Sequence, residues 1–182
     1  LYFLLIPSLL AAALARELQA QCTTEWSPAS TLAGADAQVH ALVSWDPDGP
    51  GPATSLLVMA GKFSVVGTTI ANNIALVDAS NGVCSTLGTG ISGGGYPNIS
   101  SLAVLPNGAL VAAGDFALAG STPVNNIAKW DGSSWLPLGP GLNAPVDCLA
   151  VLPTGDLVAG GFFTASGPTP AYHVARWDGS AW

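Results

Sequence analysis

A segment that returns within the chain constrains its fold more than any other feature. Ser101-Leu102-Ala103-Val104-Leu105-Pro106-Asn107-Gly108 recurs as Cys148-Leu149-Ala150-Val151-Leu152-Pro153-Thr154-Gly155, an offset of 47 residues. The same offset carries Gly114 to Gly161, Trp130-Asp131-Gly132 to Trp177-Asp178-Gly179, and Trp135 to Trp182. A looser copy lies upstream at an offset of 53: Ala60-Gly61-Lys62-Phe63 matches Ala113-Gly114-Asp115-Phe116, and Asn72-Asn73-Ile74-Ala75 matches Asn125-Asn126-Ile127-Ala128. The 6 additional residues fall in loops, two within 78–82 and four between Gly90 and Leu102. A longer insertion, 46–52, extends the first hairpin of the first copy. With a period of this length each copy is one supersecondary unit, which buries its apolar faces by stacking on its neighbours.

Each copy reads as four short strands, in the second copy roughly 99–105, 109–116, 125–131 and 134–138, with no room for a helix. Pro106-Asn107-Gly108 joins the first pair and Asp131-Gly132 the last, both turn-forming combinations. Leu110-Val111-Ala112-Ala113 and Leu149-Ala150-Val151-Leu152 are apolar at every position rather than at alternate ones, as a sheet covered on both faces requires. Small residues in the second strand permit close approach of the backbones. These features predict an all-β chain of β-propeller blades, each of four antiparallel strands, with blades at about 39–90, 98–139 and 146–182. Trp26-Ser27-Pro28 echoes Trp135-Leu136-Pro137, so 22–28 is expected to be a solitary outer strand that completes a blade formed by later sequence. About three blades fall short of the roughly four to eight of closed rings. The array is therefore expected to be incomplete and the chain to continue beyond Trp182.

Val111-Ala112-Ala113-Gly114-Asp115-Phe116, the run Asn125–Gly132 and the run Ser133–Gly139 resemble the kelch-like propeller repeats of exported bacterial proteins, similar in pattern to fungal cortical-marker propellers. The stretch Trp45–Gly51 is similar to the opening blade of such proteins. The likeness extends over nearly all of the chain after its apolar start, and it departs at Val77, where the other copies have Trp130 and Trp177. It implies export and a propeller and carries over no catalytic residue.

Residues 1–15 are nearly continuous apolar sequence and end in small residues before Arg16-Glu17. This is the hydrophobic region of a secretory signal. The expected signal peptide is 1–20, cut after Leu18-Gln19-Ala20, with Ala13-Leu14-Ala15 as the alternative; 21–182 is the partial propeller. The apolar run is too short to span a bilayer, so no membrane insertion is expected after cleavage, and the destination is the cell envelope or the medium. Since Leu1 is not Met and no basic leader precedes the apolar run, further residues are expected before it. Lys and Arg number 4 against 11 Asp and Glu, a formal charge of −7, which removes the counterion-release term that drives nucleic-acid binding. Cys22, Cys84 and Cys148 leave an odd count in a compartment that allows disulfides. Cys84 and Cys148 are expected to be small buried packing residues.

No set of residues converges on chemistry. His40 and His173 belong to different copies, and His173 stands where the other copies have Asn73 and Asn126. A copper-radical oxidase, a chemistry that some propellers carry, would draw on Tyr96, Tyr172, both histidines and Cys84 or Cys148, whose positions do not suggest a cluster. Asp46-Pro47-Asp48-Gly49 resembles the start of a calcium loop but lacks the later acidic ligand. Asp131 and Asp178 fit turn formers, and the repeating tryptophans fit packing better than sugar stacking. No catalytic, cofactor-binding or metal-binding residue and no cofactor is therefore predicted. The expected function is a non-catalytic interaction scaffold that binds a protein or glycan through the loops in which the copies differ, 46–52, 78–82 and 90–98. The alternative is a carbohydrate-active or oxidase-type enzyme whose active site lies on blades beyond this sequence.

Overall fold

The computed structural model describes residues 34–49 and 51–182, and no helix occurs among them. The signal region, the 22–28 strand and Cys22 lie outside the described residues. The first repeat unit contributes β1 (Gln38–Trp45), β2 (Leu56–Lys62), β3 (Val65–Val66), β4 (Thr69–Ile70), β5 (Ile74–Val77) and β6 (Cys84–Thr86). The second contributes β7 (Ile91–Ser92), β8 (Asn98–Val104), β9 (Leu110–Asp115), β10 (Leu118–Ala119), β11 (Thr122–Pro123), β12 (Ile127–Trp130) and β13 (Trp135–Pro137). In the third are β14 (Val146–Val151), β15 (Leu157–Gly161), β16 (Ala165–Ser166), β17 (Thr169–Pro170) and β18 (Val174–Trp177). The main sheets are antiparallel, in the orders β1-β2-β5-β6, β8-β9-β12-β13 and β14-β15-β18. Between the second and third strands of each unit stands a two-residue hairpin, β3-β4, β10-β11 or β16-β17, which the reading of four strands per copy did not contain.

The two-faced apolar pattern has a direct counterpart in the second sheet, where Leu110, Val111, Ala112, Ala113, Ile127 and Ala128 are all fully buried. Side chains alternate between faces along a strand. Leu110, Ala112, Phe116, Ala128 and Trp130 accordingly pack with Val58, Ala60 and Ile74 of the first sheet. Val111, Ala113 and Ile127 turn the other way, onto Leu157, Ala159, Phe163, Ala175 and Trp177 of the third. Positions that correspond in the repeat thus play the same part at both junctions: a Val/Ala/Ile face of one unit receives a Leu/Ala/Phe/Ala/Trp face of the next. On the third sheet the corresponding Val/Gly/Val face is open among the described residues, with Val174 64%, Phe162 68% and Tyr172 73% exposed. Two expectations are corrected there. The Leu149–Leu152 strand is covered on one face rather than both, since Ala150 and Leu152 are exposed. Cys148 is exposed rather than buried, because it lies on the face of Gly160 and Val174, which no sheet covers among the described residues.

Three backbone devices recur with the units. The first strand slips register between Val39 and Ala41, Ile99 and Ser101, and Val146 and Cys148, so His40, Ser100 and Asp147 are the extra residues of a β-bulge. A Cβ at Gly61, Gly114 or Gly161 would run into the backbone just before the bulge, into the carbonyls of Gln38, Asn98 and Pro145. Glycine in the second strand is therefore required by close approach of the first. Asn73, Asn126 and His173 have φ of 64°, 62° and 65°, a left-handed conformation that asparagine tolerates better than most residues. Asn73 Nδ2 donates to Ile91 O and Asn126 Nδ2 to Leu142 O, each at 2.8 Å, tying a unit to the segment that leads into the next.

The tryptophans of the second and third units form a side-chain device. Trp130 and Trp135 face each other across β12 and β13 with ring centroids 5.4 Å apart, and Trp177 and Trp182 repeat the pair at 5.6 Å. Trp135 Nε1 donates to Leu87 O and Trp182 Nε1 to Leu138 O, both at 2.9 Å, so each pair clasps the Leu-Gly step that ends the preceding unit. In the first unit the cross-strand pair is Val77 and Cys84.

Candidate functional site

Of the three variable loops, 78–82 is closed on itself. Asp78 Oδ1 accepts the Ser80 hydroxyl and the Ser80 N–H, Asn81 Nδ2 donates to Asp78 Oδ2, and Asn81 Oδ1 accepts the Val83 N–H. Its polar groups serve the turn. The other two loops border clefts. Residues 46–49 and the β8–β9 turn enclose about 710 Å³, with Trp45, Asp46, Asp48, Asn107, Lys129 and Asp131 in the lining. Trp45 Nε1 anchors this junction by donating to Gly108 O at 2.8 Å. The carboxylates hold loop backbone: Asp46 Oδ1 accepts the Asp48 N–H, and Asp48 Oδ2 accepts the Ala53 N–H.

The second cleft, of about 440 Å³, lies under the 90–98 loop, with Asp36, Lys62, Ser64, Asn72, Ser92 and Tyr96 in its wall. Both ends of the loop are fixed in sheets, by β7 pairing with β10 and by β8 pairing with β9. Between them Gly93 and Gly94 take φ of 77° and 87°, and a Cβ on Gly93 would press on Ala117 and Leu118. The glycines bring the chain over the second unit and leave Tyr96 displayed, 77% exposed. Lys62 Nζ sits 5.1 Å from the centroid of the Tyr96 ring. Asp36 faces the same cleft, but its Oδ1 already accepts the Ser64 and Val65 N–H groups. Those bonds, that from Val65 foremost, lower its pKa.

No protein-family model matches the chain, and no curated protein matches it. His40 lies in the first sheet and His173 immediately before β18 of the third, where His173 Nδ1 is 3.1 Å from Gly161 O. Tyr96 and Tyr172 belong to the second and third units, and Cys84 and Cys148 to β6 and β14. Among the described residues no three His, Cys, Asp or Glu side chains gather as metal ligands would. Cys84 is a half-buried free thiol whose pKa burial raises.

Asp131 and Asp178 act within their turns. Asp131 Oδ1 accepts the N–H of Ser133, the N–H of Ser134 and the Ser133 hydroxyl. Asp178 Oδ1 does the same for Ala181, Ser180 and the Ser180 hydroxyl, and these bonds hold its pKa at about 2. Trp45, Trp130, Trp135 and Trp177 are buried at the junctions. The pairing of Lys62 with Tyr96 was not legible in the sequence, because Tyr96 belongs to a loop insertion with no counterpart in the next copy.

Proposed function

We propose that the three units are blades of a β-propeller with more blades than these, exported from the cell, and that it is a scaffold without chemistry of its own whose loops bind a protein or glycan. The observation that carries the proposal is the polarity of packing. Corresponding faces meet in the same order at both junctions, and the first strands of successive sheets lie against one another. Radially arranged blades have this relation. The clefts at 46–49 and 90–98 open where the units differ most, and a rigid framework that varies in its loops suits recognition.

The test replaces 46–52 and 90–98 by the shorter connections of the other copies and screens wild type and variants against glycan and protein panels. Loss of a wild-type interaction with an unchanged melting temperature is the expected result. Interactions that survive both replacements would reduce the loops to connectors, and turnover of a panel carbohydrate by the wild-type chain would replace the scaffold by an enzyme.

A further inference from the structure

Tyr96 and Lys62 stand out from the repeat that surrounds them. The corresponding positions to Lys62 are Asp115 and Phe162, and Tyr96 sits on an insertion that the second unit's connection to the third lacks. The chain has only 4 Lys and Arg in all. Arg176 lies 3.7 Å from Asp156, whereas Lys62 has no ion-pair partner among the described residues and rests over the aromatic ring. A cation over an exposed ring gains only a little free energy from it, which leaves the ammonium free to turn to an anion. The rest of the wall offers hydroxyls at Ser64 and Ser92, an amide at Asn72, whose Nδ2 is fixed by Thr89 O at 2.9 Å, and the Asp36 carboxylate, whose Oδ1 is taken up by the Ser64 and Val65 N–H groups.

We propose that the cleft under the 90–98 loop binds the uronate residue of an acidic saccharide, with the C–H face of the sugar on Tyr96 and its carboxylate on Lys62 Nζ. The proposal rests on the glycan branch of the scaffold reading. A pyranose has one apolar face and a rim of hydroxyls, which suits a flat aromatic ring bordered by hydroxyl, amide and carboxylate groups. Tyrosine is adapted to such a ligand, apolar in body and polar at its tip. The single ammonium matches the one negative charge of a carboxylate better than the roughly −1.5 to −2 of a phosphate monoester. It also disfavours a cationic ligand. The formal charge of −7 repels long polyanions, so a short acidic segment is preferred over a highly charged polymer. Both ends of the loop are fixed, so little ordering is required on binding.

The experiment is calorimetric titration of the full chain with a galacturonate trimer and with its methyl ester. The acid is expected to bind about tenfold more tightly than the ester, the scale of one charge-assisted contact. Lys62→Met should abolish that difference, Tyr96→Ala should weaken both ligands by about tenfold or more, and Tyr96→Phe should retain most of the affinity. Both side chains are at the surface, and unchanged melting temperatures establish that the variants fold. Equal affinity for acid and ester overturns the proposal, as does binding that is indifferent to Tyr96→Ala. In the latter case the chain remains a glycan scaffold with its site elsewhere. If neither trimer binds while the loops engage a protein, the acidic-sugar site falls and the scaffold stands; if the loops engage nothing, both fall.

Discussion

Four aspartates, Asp36, Asp78, Asp131 and Asp178, act on the backbone in the same way. Each carboxylate accepts N–H groups of a turn or neighbouring loop, and its pKa falls in consequence. A lowered native pKa means that the native state prefers the ionised form, so this stabilisation is complete above the unfolded pKa and disappears as the group is protonated in the fold. For Asp178 the window runs from the ordinary 3.8 down to about 2. The melting temperature of wild type should fall across that window, and its difference from Asp178→Asn should shrink towards low pH. Scanning calorimetry of the two proteins as a function of pH checks this, and a difference independent of pH would mean that the ionised turn contributes nothing. Asp131-Gly132 and Asp178-Gly179 announced these turns in the sequence, because the aspartate and the positive-φ glycine are adjacent. Asp36 did not, since its partners Ser64 and Val65 lie on a different strand connection.

At the scale of strands, the link between units depends on an indole hydrogen bond as well as on apolar area. Trp135→Phe keeps an aromatic ring but removes the indole donor that Leu87 O has at 2.9 Å, leaving that oxygen the Gly90 N–H at 3.2 Å. The expected cost is about 0.5–1.5 kcal/mol, the net contribution of one hydrogen bond, measured by urea denaturation. A variant as stable as wild type would assign the tryptophan to packing alone. The four principal strands of the second unit fall within two residues of their expected bounds, because turn residues and apolar runs delimit them. The two-residue hairpins and the bulges were not legible. A two-residue strand has no periodicity to read, and a bulge present at the same place in every copy leaves the repeat alignment undisturbed.

Across the whole molecule, burial depends on a position's neighbours more than on its residue type. Ile127 is fully buried and Val174, its counterpart one unit later, is 64% exposed. Ile127→Ala should cost about 2–4 kcal/mol, whereas Val174→Ala should stay within about 0.5 kcal/mol, both read from denaturant midpoints. Similar losses at the two positions would mean that the third sheet's outer face is covered in solution. The sequence revealed which residues are apolar on both faces but not which sheet would have a neighbour, since Leu149–Leu152 and Leu102–Leu105 read alike. The directional fit of one unit's face to the next has a consequence for descent. Because every junction uses the same pair of surfaces, duplicating or deleting a stretch of 47 residues adds or removes a whole unit and leaves the remaining junctions chemically unchanged. A lineage built on this plan can change size by recombination within its own gene, while its loops diverge one substitution at a time.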